Sequence, residues 1–246
     1  MKVNVLMISG NHDSDDRLNY GSTLFSSNRI YISAVFDGKM HMRSFSEKEV
    51  TVDIYMLPFV KASQVRHFYP DAKIEDYEDA VRVIIENTAI DKTHRNILIA
   101  HQFVAGKGEV PALGGSESVG AQSVGMIERI GYDCFADFDY VALGHIHSPQ
   151  SVGRDEVRYS GSPLKYSLSE VNNEKSVPLI TVTDDEGVRI ELVPLKHLRD
   201  LRRIRGRLND IIDKRNVRDT EDFVYAVLTD EDIIDDAMGV LQQVYP

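Results

Sequence analysis

Cysteine occurs once in the 246-residue chain, at position 134. A single thiol excludes an internal disulfide and fits a reducing compartment such as the cytoplasm. Long apolar runs are missing as well. Runs such as "NILIA" at 96–100 and "YVAL" at 140–143 fall far short of the roughly 20 residues of a membrane-spanning helix. The opening residues carry no basic patch followed by an apolar stretch and a cleavage site, so no secretory leader is expected. Basic residues are outnumbered, 28 against 39 acidic ones, for a formal net charge of −11. Such a chain does not hold nucleic acid by bulk charge and must meet any polyanion locally. No Gly-x-x-x-x-Gly-Lys-Ser/Thr loop occurs, which excludes ATP binding by that route.

What is present suffices for a full core, with 42% hydrophobic residues and length for one large domain plus a small appendage. The spacing predicts a buried strand over 2–8 and a helix over 15–26 with Leu18, Leu24 and Phe25 on its apolar side. A strand follows over 49–57, with Val50, Val52, Ile54 and Met56 on one face. Tyr77, Val81, Ile84, Ile85 and Thr88 stand at helical spacing, and "RNILIAH" behind them reads as a buried strand. A glycine-rich loop over 101–125 is long enough to be functional or mobile. Beyond it come the strand "DYVALGHIH", the β-rich "VRYSGS", and a hairpin over 178–193 around an Asp-Glu-Gly turn. After Pro194, "RLNDIIDKR", a strand over 222–229 and a helix over 235–245 form a small α/β unit. The expected class is α/β (α+β), divided into 1–195 and 196–246. Residues 196–207 hold six Lys or Arg against one Asp, whereas 219–236 hold eight acidic residues and no Lys or Arg. That asymmetry points to two surfaces with different partners, or to solvated charged faces.

Chemistry-bearing residues gather at predicted strand ends: "GNHD" at 10–13, "AHQF" at 100–103, "GHIH" at 144–147 and, more weakly, "SGSP" at 160–163. Two residues apart, His145 and His147 face one side of a regular strand, and a turn begun at Gly144 swings both rings toward one point. Imidazole is the usual nitrogen ligand of Zn, Mn and Fe. Asn11 adds a carbonyl oxygen and His101 another imidazole, and carboxyl ends of strands are where open α/β sheets place their sites. His41, His67, His94 and His197 lack a second ligand type beside them and read as structural.

Gly-Asn-His-Asp, a later strand-end histidine and Gly-His-x-His are similar to three motifs of the calcineurin-like metallophosphoesterases. Their settings, "GNHDSDDRL", "AHQFV", "DYVALGHIHSPQ" and "VRYSGSPLKYS", narrow the resemblance to the Mre11-like nucleases of the SbcD type, from about residue 2 to the end. The resemblance implies a β-sandwich flanked by helices, a small α/β capping domain, and a Mn2+ pair that generates a hydroxide nucleophile. Carried over position by position, Asn11, His101 and His145 match ligands of the second metal and His147 a ligand of the first. His12 matches the catalytic, non-ligand histidine that meets the scissile phosphate, and Asp13 orients His12 or caps the turn. The resemblance further implies ATP-dependent exonuclease cleavage of duplex DNA and endonuclease cleavage of single strands and hairpins. Its partners are an SbcC-like SMC-type ATPase subunit, DNA, and a second copy of the chain through the helices after Gly-Asn-His-Asp. The basic run at 196–207 is a candidate for DNA or partner contact.

The sequence departs from that pattern. The family opens with Asp-x-His and Gly-Asp motifs ahead of Gly-Asn-His-Asp, and neither occurs anywhere in this chain. The fold is therefore expected to be incomplete at its amino terminus, lacking its first β-α-β, with a bared sheet edge and apolar face, and Met1 reads as an internal start. Neutral donors alone leave two neighbouring dications to repel one another. One ion at most, weakly held, and little or no nuclease activity by the isolated chain are the consequences. Two other readings are a phosphatase or nucleotide phosphodiesterase on the same motifs, and a non-catalytic remnant acting as scaffold.

Overall fold

The computed structural model describes residues 3–106, 111–113, 129–185 and 187–246. Among them, β1 (Val5–Ile8) pairs in parallel with β2 (Ile30–Ser33), with helices α1 (Asp15–Asn19) and α2 (Ser22–Ser26) between. The single helix expected over 15–26 is thus two. Gly21 breaks it by taking a left-handed φ of 81°, a conformation open to glycine at little cost. Leu18 is only half-buried, and Leu24 and Phe25 are exposed, so the apolar side expected to join the core does not. β1 departs from expectation too. Val5 and Met7 are exposed on one face, where a fully buried strand was predicted.

The chain continues through β3 (His41–Glu47), β4 (Val50–Leu57), α3 (Ala62–Phe68), α4 (Tyr77–Glu86) and β5 (Arg95–Ala100). The short β6 (Val104–Ala105) and β7 (Ile130–Gly131) pair with each other, and β8 (Tyr140–Leu143), β9 (Gln150–Val152) and β10 (Arg154–Tyr159) complete this part. A mixed sheet runs in the order β3-β4-β5-β8-β10-β9, its four inner strands parallel. The mixed α/β class expected from the sequence is the one found. The glycine-rich loop expected over 101–125 falls largely outside the described residues.

Helix α4 begins where Asp76 accepts a hydrogen bond from Asp79 N at 2.9 Å, satisfying one of the unpaired amides of the first turn. Its predicted stripe is the one that packs, with Val81, Ile84 and Ile85 all buried. Register gives the sheet two apolar rungs beneath it: Tyr55, Leu98, Val141 and Val157, then Leu57, Ala100, Leu143 and Tyr159. Both rungs are buried, and each large side chain contributes about 1.5–3 kcal/mol on leaving water. In β4 the deeper face is therefore that of Tyr55 and Leu57, with Val50, Val52 and Ile54 only half-buried opposite.

Three strands end together on the second rung, because Leu57, Ala100 and Leu143 share one register. The next residues are Pro58, His101 and Gly144. β1 arrives beside them: Ser9 O accepts from Phe59 N at 3.0 Å, and Ser9 Oγ donates to Ala34 O at 2.6 Å.

Past Tyr159 lie the hairpin β11 (Ser176–Thr183) and β12 (Gly187–Pro194), as expected, though Glu186 in its turn is outside the described residues. Finally β13 (Leu201–Gly206) pairs in parallel with β14 (Phe223–Leu228), accompanied by α5 (Leu208–Ile211) and α6 (Ala237–Gln242). The basic and acidic runs meet here instead of forming two surfaces. Arg199 pairs with Glu221 at 3.0 Å, Arg202 with Asp222 at 2.8 Å and Arg207 with Glu231 at 3.6 Å. Lys165 Nζ bonds Asp200 Oδ2 at 2.9 Å and ties this unit to the segment before β11.

Candidate metal-binding site at the strand ends

Asn11, His101 and His145 come from three strand ends and meet. The Asn11 Oδ1 lies 3.0 Å from His101 Nε2 and 3.3 Å from His145 Nδ1, and the two rings stand edge-on with centroids 5.3 Å apart. Burial lowers the pKa of the His101 imidazole; the charge of Asp13 acts in the opposite sense, while His12 and His147 reinforce the lowering. Asp13, His12 and His147 are thus near enough to act on His101. A ring kept neutral has a lone pair to offer, as a metal ligand must.

The glycines of the motifs turn out to serve His101. A β-carbon on Gly10 would stand 2.7 Å from His101 Cε1, and one on Gly144 2.7 Å from His101 Nδ1, so only glycine admits the ring at either place. Gly144 is not the residue with the unusual turn geometry that the sequence pointed to. His145 is, at φ 91°, where a non-glycine residue carries about 1–3 kcal/mol of strain. In that conformation its Nδ1 lies 3.3 Å from Asn11 Oδ1.

Asp13 caps the turn: Gly10 N donates to Asp13 Oδ2 at 2.7 Å and Asp13 N to Gly10 O at 3.3 Å. Of its two expected roles this is the one seen. His12 is exposed on the same turn.

His147 meets other residues. Its Nδ1 is 3.5 Å from Glu170 Oε1, and its ring centroid is 5.8 Å from that of Tyr166. Glu170 and Lys175 have fully buried side chains joined at 2.5 Å. Lys175 Nζ also donates to His147 O at 2.9 Å and to Ser162 Oγ at 2.8 Å. Burial pushes the Glu170 carboxyl up, but the hydrogen bond and charge of Lys175 outweigh it and hold the group below its ordinary range. Glu170 and Lys175 escape sequence reasoning, because a Glu and a Lys in a polar stretch read as surface residues; only the "SGSP" signal lay close to them.

The remaining histidines have separate partners, as their structural reading requires. His41 lies 3.1 Å from Asp37 and His94 2.9 Å from Asp53; His197 reaches Pro163 O at 2.8 Å, and His67 packs edge-on against Phe68. A roomy cavity of about 670 Å³ lies at the opposite end of the sheet, around the beginnings of β5 and β10. Three ion pairs line it, Arg95 with Asp139, Arg154 with Glu156 and Lys92 with Asp137. It contains none of the strand-end donors.

As a metal site the strand-end group is partial. It offers one amide oxygen and two imidazoles, all neutral, and among the described residues no three His, Cys, Asp or Glu side chains gather as a metal would require. Such donors suit a single divalent ion of the Mn or Zn kind and cannot offset a pair of them.

Comparison with known proteins agrees with the motifs. Residues 197–246 match the family described as the type 5 capsule protein repressor C-terminal domain, SbcD_C. Across its whole length the chain is 36% identical to the SbcD subunit of nuclease SbcCD from Staphylococcus epidermidis (strain ATCC 12228 / FDA PCI 1200), in an alignment of 249 residues. Along its whole length the chain resembles that SbcD subunit. It spans 64% of the length of that relative. The strand-end group falls in the part of the chain before the matched residues 197–246. None of the helices of the described residues is long and apolar enough to cross a membrane.

Proposed function

We propose that this chain supplies part of the nuclease subunit of a cytoplasmic SbcCD-type DNA end-processing complex, hydrolysing phosphodiester bonds of duplex ends, single strands and hairpins. The observation that carries the reading is the convergence of Asn11, His101 and His145 from three strand ends. Kinship with a relative named as the SbcD subunit of nuclease SbcCD supports it. In this reading Asn11, His101, His145 and His147 hold Mn2+, and His12 meets the phosphate. The bound metal, when a full ligand set is present, supplies the activated water. This chain's own residues contribute neutral donors and a turn that presents His12. An SMC-type ATPase is the separate partner, since the chain has no phosphate-binding loop, and residues 196–246 act as a capping unit for DNA or partner contact.

Without a carboxylate among the donors, the polypeptide alone holds at most one ion and is expected to cleave little or no DNA. The test compares the 246-residue chain with a fusion supplying Asp-x-His and Gly-Asp motifs, in Mn2+, on duplex DNA and on a nitrophenyl phosphate ester. Cleavage of duplex DNA by the fusion, lost on Asn11→Ala or His145→Ala, supports the nuclease reading. Turnover of the ester with DNA untouched replaces it with a phosphatase, and normal DNA turnover by the unfused chain refutes the claim that the missing carboxylates matter.

A further inference from the structure

The buried Glu170–Lys175 pair stands out, because two charges taken out of water cost several kcal/mol each in desolvation, and an apolar pair of the same size is often as stable or more so. Stability alone does not account for it. Every donor of the ammonium is used, on Glu170 Oε2, Ser162 Oγ and His147 O. Glu170 Oε2 also accepts from Ser162 Oγ at 3.1 Å, while Oε1 accepts from Ser167 Oγ at 3.3 Å and lies 3.5 Å from His147 Nδ1. The pair therefore grips His147 twice, by its backbone carbonyl through Lys175 and by its ring through Glu170.

We infer that Glu170, Lys175 and Ser162 form a buried clasp that positions the His147 imidazole, keeping the proton on Nδ1 and the lone pair on Nε2. Carboxylate partners of this kind fix the tautomer and orientation of metal-binding histidines. The three are positioning residues, acting through His147. The functional value of the clasp rests on the proposed role of His147 as a metal donor; the orientation itself does not.

The clasp leaves a clean way to remove it. In the double variant Glu170→Leu/Lys175→Met, His147 O keeps its bond from Ser162 N at 3.0 Å and Ser162 Oγ keeps Leu164 O at 2.8 Å, so no buried group is orphaned. The experiment records the side-chain nitrogen shifts of His147 by NMR in the metal-free 246-residue chain and in the double variant, then titrates each with Mn2+ and follows broadening of the His147 signals. The expected result is an Nδ1–H tautomer in the native chain and a mixture in the variant at equal or higher melting temperature. The Mn2+ midpoint should rise tenfold or more, in the range of 10–100-fold typical for loss of such a partner. An Nε2–H tautomer in the native chain, or an unchanged tautomer in a folded variant, overturns the inference. Should the tautomer respond while Mn2+ leaves His147 of the native chain sharp, the clasp stands and the metal role of His147 falls.

Discussion

Tyr159 and Val104 are joined across 55 residues by a buried hydroxyl: Tyr159 Oη accepts from Val104 N at 2.6 Å and lies 3.0 Å from Gln102 O. The bond fixes the backbone that leaves His101, and burial pushes the phenol's pKa up, so it stays neutral. Tyr159→Phe should cost about 1–3 kcal/mol, the usual penalty for stranding buried backbone groups. Urea unfolding of the variant measures it; a loss under about 0.5 kcal/mol means water replaces the hydroxyl.

Gly144→Ala should displace the His101 ring, since a β-carbon there overlaps Nδ1. Overpacking of this kind costs about 1–3 kcal/mol. Chemical-shift changes centred on His101 and His145, with the helices undisturbed, are the expected signature. Gly10→Ala should reproduce them, since a β-carbon there meets Cε1 and Nε2 of the same ring.

Lys175→Met by itself strands the Glu170 carboxylate. Breaking a buried pair by removing one partner typically costs about 3–5 kcal/mol, so this single variant should melt well below both the native chain and the apolar double variant. A single variant as stable as the double would show that Glu170 finds water or another donor.

His94 governs a pH effect unrelated to the strand ends. Its hydrogen bond to Asp53 raises the imidazole pKa, partial burial opposes, and the charges of Asp53 and Asp91 add to the rise. The folded value lies above the ordinary value of about 6.5. The contribution is therefore complete below that ordinary value and fades as pH climbs through the folded one. His94→Gln should flatten the fall in melting temperature between about pH 6 and about pH 8, and an unchanged slope would exclude this pair as its source.

Cys134 should be unreactive in the folded chain. Burial, helped by Glu78, pushes its thiol up to about 12, and thiolate is the reactive form. A thiol reagent at neutral pH should label it only as fast as the protein opens, so labelling in step with denaturant is the check.

Much of the frame was legible because local signals agreed with the tertiary outcome. Tyr77, Val81, Ile84 and Ile85 sat at helical spacing and packed as such, and the alternating runs around Gly187 became the hairpin β11–β12. The strand-end donors Asn11, His101 and His145 were legible from residue type and position. What stayed hidden depends on what lies opposite in space. The opposed charge runs gave no sign that Arg199 and Arg202 would find Glu221 and Asp222 across β13 and β14. Nor did the apparent turn at Gly144 reveal that its lost side chain makes room for His101 while His145 takes the strained torsion. Helix spacing over 15–26 ignored what Gly21 permits.

Asn11 Oδ1 touches rings that follow it by 90 and 134 positions. No short stretch of this polypeptide can gather those three side chains, so under the proposed metal role a chain still being synthesised completes the set only once residue 145 has left the ribosome and the strands that carry them have paired. Metal capture would then report on completed assembly, and proteolytic fragments or partly folded chains would be blind to the ion.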